Sequence, residues 1–437
     1  MDPAKSGSTN DIMEKLRLKF SQKPWSETME LVRLSMTCED LLQLLRMENF
    51  DAFGNMVADM LNIYQIPGSS ETKSKVFAAF LALEKDLCSL SALSRTPGMD
   101  RVTEILCGKV GYLNPRSGGS PMNLEFYLSQ YQILEEQLTP GLKIDGRKVL
   151  VIIGGADTVH RLPLAPSLVN SPTDGDGSPR FLPLKEVISA PLSACFFLMF
   201  SQNCPFPLSS SSIHKLQELT GLPVARLKPG PLHELIVQFA LSENHPHGLI
   251  TSTSSFIVSL PGCPKHSYFL DKGIEKSDTA GAMVKKIPFT HPKCVPDMIE
   301  VLRHQAAYNT LISSCVSETT ECEDSSDLLH FDVVQQKATS FSVTFQHPLE
   351  ENLACVTVDV LSSRDVICTL HTHSEDGALI CSNDYLTRVL KRCMSIPVLM
   401  RAIFKKATQQ KAEETSLSKD GVCEENCKDQ QVEHNQQ

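Results

Sequence analysis

PDMIEVLRHQAAYNTLISSC (Pro296–Cys315) and FSVTFQHPLEENLACVTVDVLSSRDVICTL (Phe341–Leu370) decide the fold class between them. In the first, Met298, Val301, Leu302, Tyr308, Ile312 and Cys315 recur at helical spacing and make one broad apolar face. In the second the period drops to two. Phe341, Val343 and Phe345 alternate with polar residues, then Val356, Val358 and Val360, then Val366, Cys368 and Leu370. That alternation predicts an antiparallel meander with one wet face. A long helix followed by such a meander places the chain in the α+β class.

Working back towards the N-terminus, strand-like runs occupy Val149–Ile153, Thr158–Leu162 and Cys195–Phe200. Gly154-Gly155 between the first two predicts a hairpin turn. Two helices follow, one carrying Ile213, Leu216 and Leu219, the other starting at Pro231 and carrying Leu232, Leu235, Ile236, Phe239 and Ala240. Strand-like runs return at Phe256–Leu260, Ser267–Leu270 and Val284–Phe289. FTHP (Phe289–Pro292) and FQHP (Phe345–Pro348) each end such a run, so sheet followed by helix repeats two or three times. Upstream, Val76, Phe80, Leu83, Leu87 and Leu90 lie on one helical face, as do Phe53, Met56, Val57, Met60 and Leu61, and short connections predict a small bundle. Gly111–Pro121, with its glycines and prolines, predicts an ordered loop. A last helix begins near Asn383 and is interrupted at Pro397.

The expected architecture is therefore α+β. A helical bundle spans 10–110, a sheet-plus-helix unit 111–245 and repeated, mostly antiparallel sheet-plus-helix units 246–407. Residues 1–9 and a Gln-, Glu- and Lys-rich tail from 408 to 437 lack the apolar content for a core and are expected to be disordered.

Composition narrows the function. The 437 residues carry 41 Lys and Arg against 51 Asp and Glu, a net charge of −10, with the basic residues spread thinly. Phosphate neutralisation needs a basic face, so direct nucleic-acid contact is not expected. Mean hydropathy is −0.11 and no apolar run approaches the roughly 20 residues of a membrane span. The first thirty residues contain Asp2, Asp11 and Glu14 and no apolar stretch of a secretory signal. Fifteen cysteines, many inside apolar runs as Cys195, Cys355 and Cys368 are, predict buried free thiols in a reducing compartment.

Chemical motifs are sparse. Cys263-x2-His266 and His291-x2-Cys294, 24 residues apart, have ligand types and spacing suited to tetrahedral zinc. Both pairs contain or abut proline, and 15 Cys with 13 His produce such spacings by chance, so no metal or cofactor is assigned. There is no phosphate loop and no nucleophile elbow, and no catalytic residue is assigned. Leu41-Leu42-Gln43-Leu44-Leu45 fits LxxLL, whose leucines make one helical face that docks in an apolar groove. The same face is what a core helix shows, and the stripe continues into Phe53, Val57 and Leu61, so Leu41, Leu44 and Leu45 are read as core. In the loop Asn114–Gly119, Pro115 stiffens the chain, Gly118 and Gly119 permit unusual φ, and Arg116 offers a five-donor fork. The loop is read as a latch between the helical part and the first sheet, with an interface element as its alternative. Arg303, His304, Gln305 and Asn309, polar residues on or beside an otherwise apolar helix, are expected to bond neighbouring strands.

Several long strings, in order, resemble the family of Mediator of RNA polymerase II transcription subunit 1. They are KPWSETMELVR (Lys23–Arg33), MENFDAFGNMV (Met47–Val57), NIYQIPG (Asn62–Gly68), GYLNPRSGGSPMNL (Gly111–Leu124), RHQAAYNTLISSCV (Arg303–Val316), FSVTFQHP (Phe341–Pro348) and RCMSIPVLMRAI (Arg392–Ile403). The resemblance implies a nuclear, non-enzymatic transcription coactivator. Its partners would be other Mediator subunits of the middle module and, indirectly, the RNA polymerase II machinery. Two departures point to a short, subunit-1-like form. The family's long Ser-, Pro- and Lys-rich C-terminal region, which holds its receptor boxes, is not in this sequence, so nuclear receptor binding is not implied. A segment of several dozen residues that the family carries between Met36 and Cys38 is also not here. Two readings stand beside this one: a soluble enzyme or zinc-binding protein on an α+β frame, and a truncated, dominant-negative adaptor.

Overall fold

The computed structural model describes residues 65–428 except 96, 117–120, 140, 142–143, 170–178, 201–204, 245–253, 272–277, 318–327 and 373–380, together with 46, 47 and 63. Leu41, Leu44, Leu45, Gly118 and Gly119 lie outside the described residues, as does most of the N-terminal bundle.

Three sheets form. The first is antiparallel, in the order β1 (Tyr112–Asn114), β2 (Asn123–Tyr127), β3 (Arg147–Pro163), β4 (Ser189–Met199) and β10 (Lys286–Phe289). A small antiparallel sheet joins β5 (Phe206–Ser209), β9 (Ala280–Val284) and β6 (Lys228–Pro231). The third runs β14 (Val366–His371), β13 (Leu353–Val360), β12 (Ser340–Gln346), β11 (Leu328–Lys337), β8 (Lys265–Leu270) and β7 (Ser255–Val258). Its β8 and β11 are parallel and its other neighbours antiparallel. The helices are α1 (Ser70–Ser94), α2 (Arg101–Cys107), α3 (Gln130–Leu138), α4 (Ser210–Thr220), α5 (Leu232–Asn244), α6 (Val295–Ser313), α7 (Asn383–Cys393) and α8 (Ile396–Lys428). No helix among the described residues is long and apolar enough to cross a membrane.

The meander forms as its alternation requires. Phe341, Val343, Phe345, Val356, Val358, Val360, Val366, Cys368 and Leu370 are all buried on one face. The outer edge of β14 is sealed by α7: Asn383 Oδ1 accepts from Leu370 N at 2.9 Å, and Thr387 Oγ1 from Cys368 N at 3.0 Å. An open edge would offer those amides to another chain. In both His-Pro turns a histidine ring closes the turn after the strand. His291 Nδ1 accepts from Lys293 N, and His347 Nδ1 from Leu349 N and Glu350 N.

Elsewhere the strands differ from the expected pattern. Gly154-Gly155 is not a hairpin turn; it lies inside β3, opposite Cys195 and Ala194, and the register shifts between Gly155 and His160. A Cβ on Gly154 would meet the Phe197 ring at 3.2 Å, so the glycine serves a close approach within a bulged strand. The single run Val284–Phe289 divides at Lys285 into β9 and β10, which belong to different sheets. β5 and β6 arise at FPLS and KPGP, where no strand is expected, and Pro231, expected to open the next helix, is the last residue of β6, with the helix starting at Leu232. Of the N-terminal helices, α1 and α2 are described, and α1 lies on the first sheet against β1, β3 and β4. Val76, Phe80, Leu83, Leu87 and Leu90 face that sheet's core. At the other end α8 runs to Lys428, past Thr408, where the tail is expected to lose structure. Gln, Lys, Ala and Glu dominate there and are good helix formers. Among the side chains described, the last buried apolar one is Ala407.

α6 is apolar on nearly all sides, as a helix inside a core must be. It packs against β2, β5 and β13, one strand from each sheet, and against α4 and α5. Five of its side chains, Arg303, His304, Gln305, Tyr308 and Asn309, bond to neighbouring elements. Arg303 Nε donates to Phe126 O at 3.0 Å, and Nη2 to Ile105 O at 2.7 Å and Gly108 O at 2.6 Å. The last two are carbonyls at the C-terminal end of α2, where a cation also meets the helix dipole. His304 Nε2 bonds Val360 O at 2.8 Å. Gln305 Oε1 accepts from Ser209 N and Ser212 Oγ at the start of α4, and its amide donates to Asn309 Oδ1. Asn309 in turn donates to Pro207 O in β5. Tyr308 shares a 2.8 Å hydrogen bond with His233 Nε2 in α5. One buried apolar cluster extends from Ile63 to Ala407 around this helix.

Arg303→Met keeps most of the side-chain volume but takes the guanidinium away from three buried carbonyls, of which Gly108 O still accepts from Gly111 N while those of Phe126 and Ile105 lose this donor. Chemical denaturation is expected to show a loss of about 2 kcal/mol or more, at about 1–3 kcal/mol per orphaned buried group. A variant as stable as wild type would mean that water takes the place of the guanidinium. His233 supplies a pH test. Burial pushes it down to about 3, partly opposed by Asp271, so it stays neutral in the fold. Unfolded, it takes up a proton near its ordinary value of about 6.5. Its contribution is complete above pH ~6.5 and declines as pH falls towards ~3, by at most about 1.4 kcal/mol per pH unit. His233→Gln should flatten that part of the stability–pH profile.

Candidate interaction surface

The corner made by α1, α2, β2 and α3 is assembled by arginine–glutamate pairs. Asp100 caps α2, accepting from Thr103 N at 2.9 Å. Glu104, buried on α2, receives both the Arg95 guanidinium and the Ser91 hydroxyl from the end of α1. Arg101, at the other end of α2, binds Glu125 of β2 and Ile144 O through Nη2, and Glu136 of α3 through Nη1 at 3.0 Å. One guanidinium thus holds a helix, a strand and a second helix together. Its planar fork suits several acceptors at once.

α3 is fixed at its start by a capping box. Gln132 N donates to Ser129 Oγ, and Ser129 N to Gln132 Oε1. The Gln132 amide then donates to Asp145 O at 3.3 Å. With Glu136 on Arg101, the face of α3 turned to the protein carries Gln132, Ile133 and Glu136. The opposite face carries Tyr131, Leu134 and Leu138 at i, i+3 and i+7, exposed by 74%, 51% and 72%. None of the residues of α3 is buried. A surface helix ordinarily buries its apolar stripe and wets its polar one; α3 does the reverse. Burying one such side chain is worth about 1.5–3 kcal/mol, so covering this face by a partner is favourable. α7 packs beside α3.

The residues singled out in the sequence fall as follows. Arg116 lies over the Phe80 ring, 4.9 Å from its centroid, and its Nε and Nη2 bond the Glu84 carboxylate, the shortest contact being 2.6 Å. Phe80 and Glu84 are one turn apart on α1, so Arg116 ties the loop after β1 to that helix. Pro115 is exposed beside it. The proposed zinc ligands go to separate partners. Cys263 donates to Leu260 O and His266 shares a bond with the Tyr268 hydroxyl. His291 closes its turn, and Cys294 donates to Leu219 O. Among the described residues no three His, Cys, Asp or Glu side chains gather as a metal site would need. Burial pushes His266 down to about 4, and the thiols of Cys195 and Cys381 up to about 11. These are groups held neutral by packing. Sequence reasoning passed over α3. The Ser129-x-x-Gln132 cap and the i, i+3, i+7 spacing mark the helix in the sequence, but nothing in them says which face is turned outward.

The family model that matches the chain is "Mediator of RNA polymerase II transcription subunit 1", over residues 9–317. The chain is 38% identical over 398 residues to a protein of that name from Xenopus laevis, covering 87% of this chain and 25% of the relative. The Xenopus tropicalis protein matches to the same extent. A Drosophila melanogaster protein of that name is 28% identical over 391 residues, covering 85% of this chain and 25% of the relative. The chain thus spans about a quarter of the length of the curated relatives it matches.

Arg116 and Glu84 make a pair whose strength a double-mutant cycle reads directly. Arg116→Ala and Glu84→Ala are expected to couple by about 0.5–1 kcal/mol in thermal or chemical unfolding, since the pair is partly exposed but bidentate. A coupling of zero would remove Arg116 as a tie between the loop and α1.

Proposed function

The chain belongs to the Mediator of RNA polymerase II transcription subunit 1 family, and on that premise we propose that it is a non-enzymatic Mediator subunit that acts in the nucleus. It docks among other subunits, in the middle module, and helps relay regulatory signals to RNA polymerase II. The observation that carries this reading is the family match across 9–317, which takes in α1 to α6 and the strands of the first sheet. Two features of the molecule support it. The groups with displaced pKa values, His233, His266 and the buried thiols, are enclosed by packing. The apolar face of α3 is turned outward on a helix that is pinned from behind. Arg116 acts in this reading as an internal latch, not as a contact to another subunit.

Affinity purification of the tagged chain from nuclear extract is expected to recover other Mediator subunits. Arg116→Ala is expected to leave that recovery unchanged while lowering the melting temperature. A well-folded chain that recovers no Mediator subunit would overturn the assignment, and loss of recovery at unchanged stability would turn Arg116 into an interface residue.

A further inference from the structure

The exposed face of α3 does not stand alone. Beside α3 lies α7, which turns at Met394, in the left-handed region with φ of 45°, into α8. From Asn383 to Lys406 this elbow carries Arg388, Lys391, Arg392, Arg401, Lys405 and Lys406 against one acid, Asp384. The chain as a whole has a net charge of −10, so a local excess of five positive charges is a departure in sign as well as in density. Lys391 bonds Asp365 at 2.6 Å and Lys406 lies over the Tyr385 ring. Arg388 and Arg392 are exposed, and Arg388 Nε donates to Asp384 O of its own helix.

We propose that the Tyr131–Leu134–Leu138 face of α3 receives an amphipathic helix of a partner protein whose apolar stripe is flanked by acidic residues. The inference rests on the docking role given above and names the chemistry of what docks. Three apolar side chains at i, i+3 and i+7 on a rigid helix fit a second helical stripe, in the manner of ridges set into grooves. The basic elbow next to it selects an acidic flank, which steers encounter and sets orientation more than it adds affinity. The Arg101–Glu136 and Gln132–Asp145 bonds hold α3 in place beforehand, so its ordering is not charged against binding.

The test uses the purified full chain and a fluorescein-labelled synthetic helix of about five turns, with leucines on one face and glutamates on the rest. A second peptide carries glutamine at every glutamate. Fluorescence anisotropy is expected to show the acidic peptide binding at least about tenfold more tightly than the glutamine peptide at low salt, the gap narrowing as salt rises. Tyr131→Ser/Leu134→Ser/Leu138→Ser, whose residues are already in water, should melt like wild type and weaken the acidic peptide at least about tenfold, or ~1.4 kcal/mol. Arg388→Glu/Arg392→Glu should abolish the preference for the acidic peptide. Equal binding of both peptides, or unchanged binding by the triple variant, overturns the proposal. So does a duplex DNA that displaces the peptide and binds the triple variant as well as wild type, which would make the elbow a phosphate site. Light scattering that finds a dimer dissolved by the triple variant would assign the face to a second copy instead. Mediator recovery is read separately, so a chain that recovers the subunits yet ignores both peptides defeats this inference and leaves the docking role standing.

Discussion

A guanidinium sits in the middle of this molecule with carbonyl oxygens, and no buried acid, as its main partners. Arg303 faces the carbonyls of Phe126, Ile105 and Gly108, and its nearest carboxylate, Glu300, is 3.4 Å away and more than half exposed. An unpaired buried charge is costly, so the segment from α2 to β2 must come close enough to surround it. Around the same helix, Gln305 and Asn309 make matching demands on β5 and α4, and His304 on β13. Three sheets that share no strand are thus referred to one axis. Each polar residue of α6 is satisfied by only one arrangement of its neighbour. Apolar packing alone tolerates small shifts, whereas these bonds do not.

The surface follows a different logic from the centre. At the corner of α2 and α3, Gln132 and Glu136 turn inward, onto Asp145 O and Arg101, while Tyr131, Leu134 and Leu138 turn out. The imidazoles of His233 and His266 are kept neutral by burial. What the fold presents is a fixed helix with an uncovered stripe next to a basic elbow, a surface suited to assembly.

Much of the fold is legible in the sequence because two periods are strong. The stripe Val76–Leu90 and the alternation from Phe341 to Leu370 become α1 and the meander at the positions expected, and Met394 breaks the last helix just ahead of Pro397. Other parts are set by tertiary contact and leave little local trace. FPLS and KPGP read as breakers, yet each pairs with β9, as a strand at the edge of a small sheet can despite its prolines. Gly154-Gly155 has the composition of a turn and the function of a bulge, because what matters there is the Phe197 ring across the sheet. The paired Cys and His spacings suggest zinc, but β8 and the turn after β10 carry them to different neighbours. Arg116 was visible as a residue of interest and its partner was not, since Glu84 lies 32 positions away. The stripe on α3 was missed for a simpler reason: periodicity reports that a helix has two faces and is silent on which one meets the protein.

The placement of Arg303 has a consequence for how the chain is made. Its acceptors at Ile105 and Phe126 lie 198 and 177 residues earlier. At ordinary translation rates of about 5–20 residues per second, α2 and β2 leave the ribosome roughly 10–40 s before α6 exists. For that interval the carbonyls at the end of α2 are without their guanidinium, and the face of β2 that α6 covers stays open. The first sheet is thus completed only when a single helix near residue 300 is made.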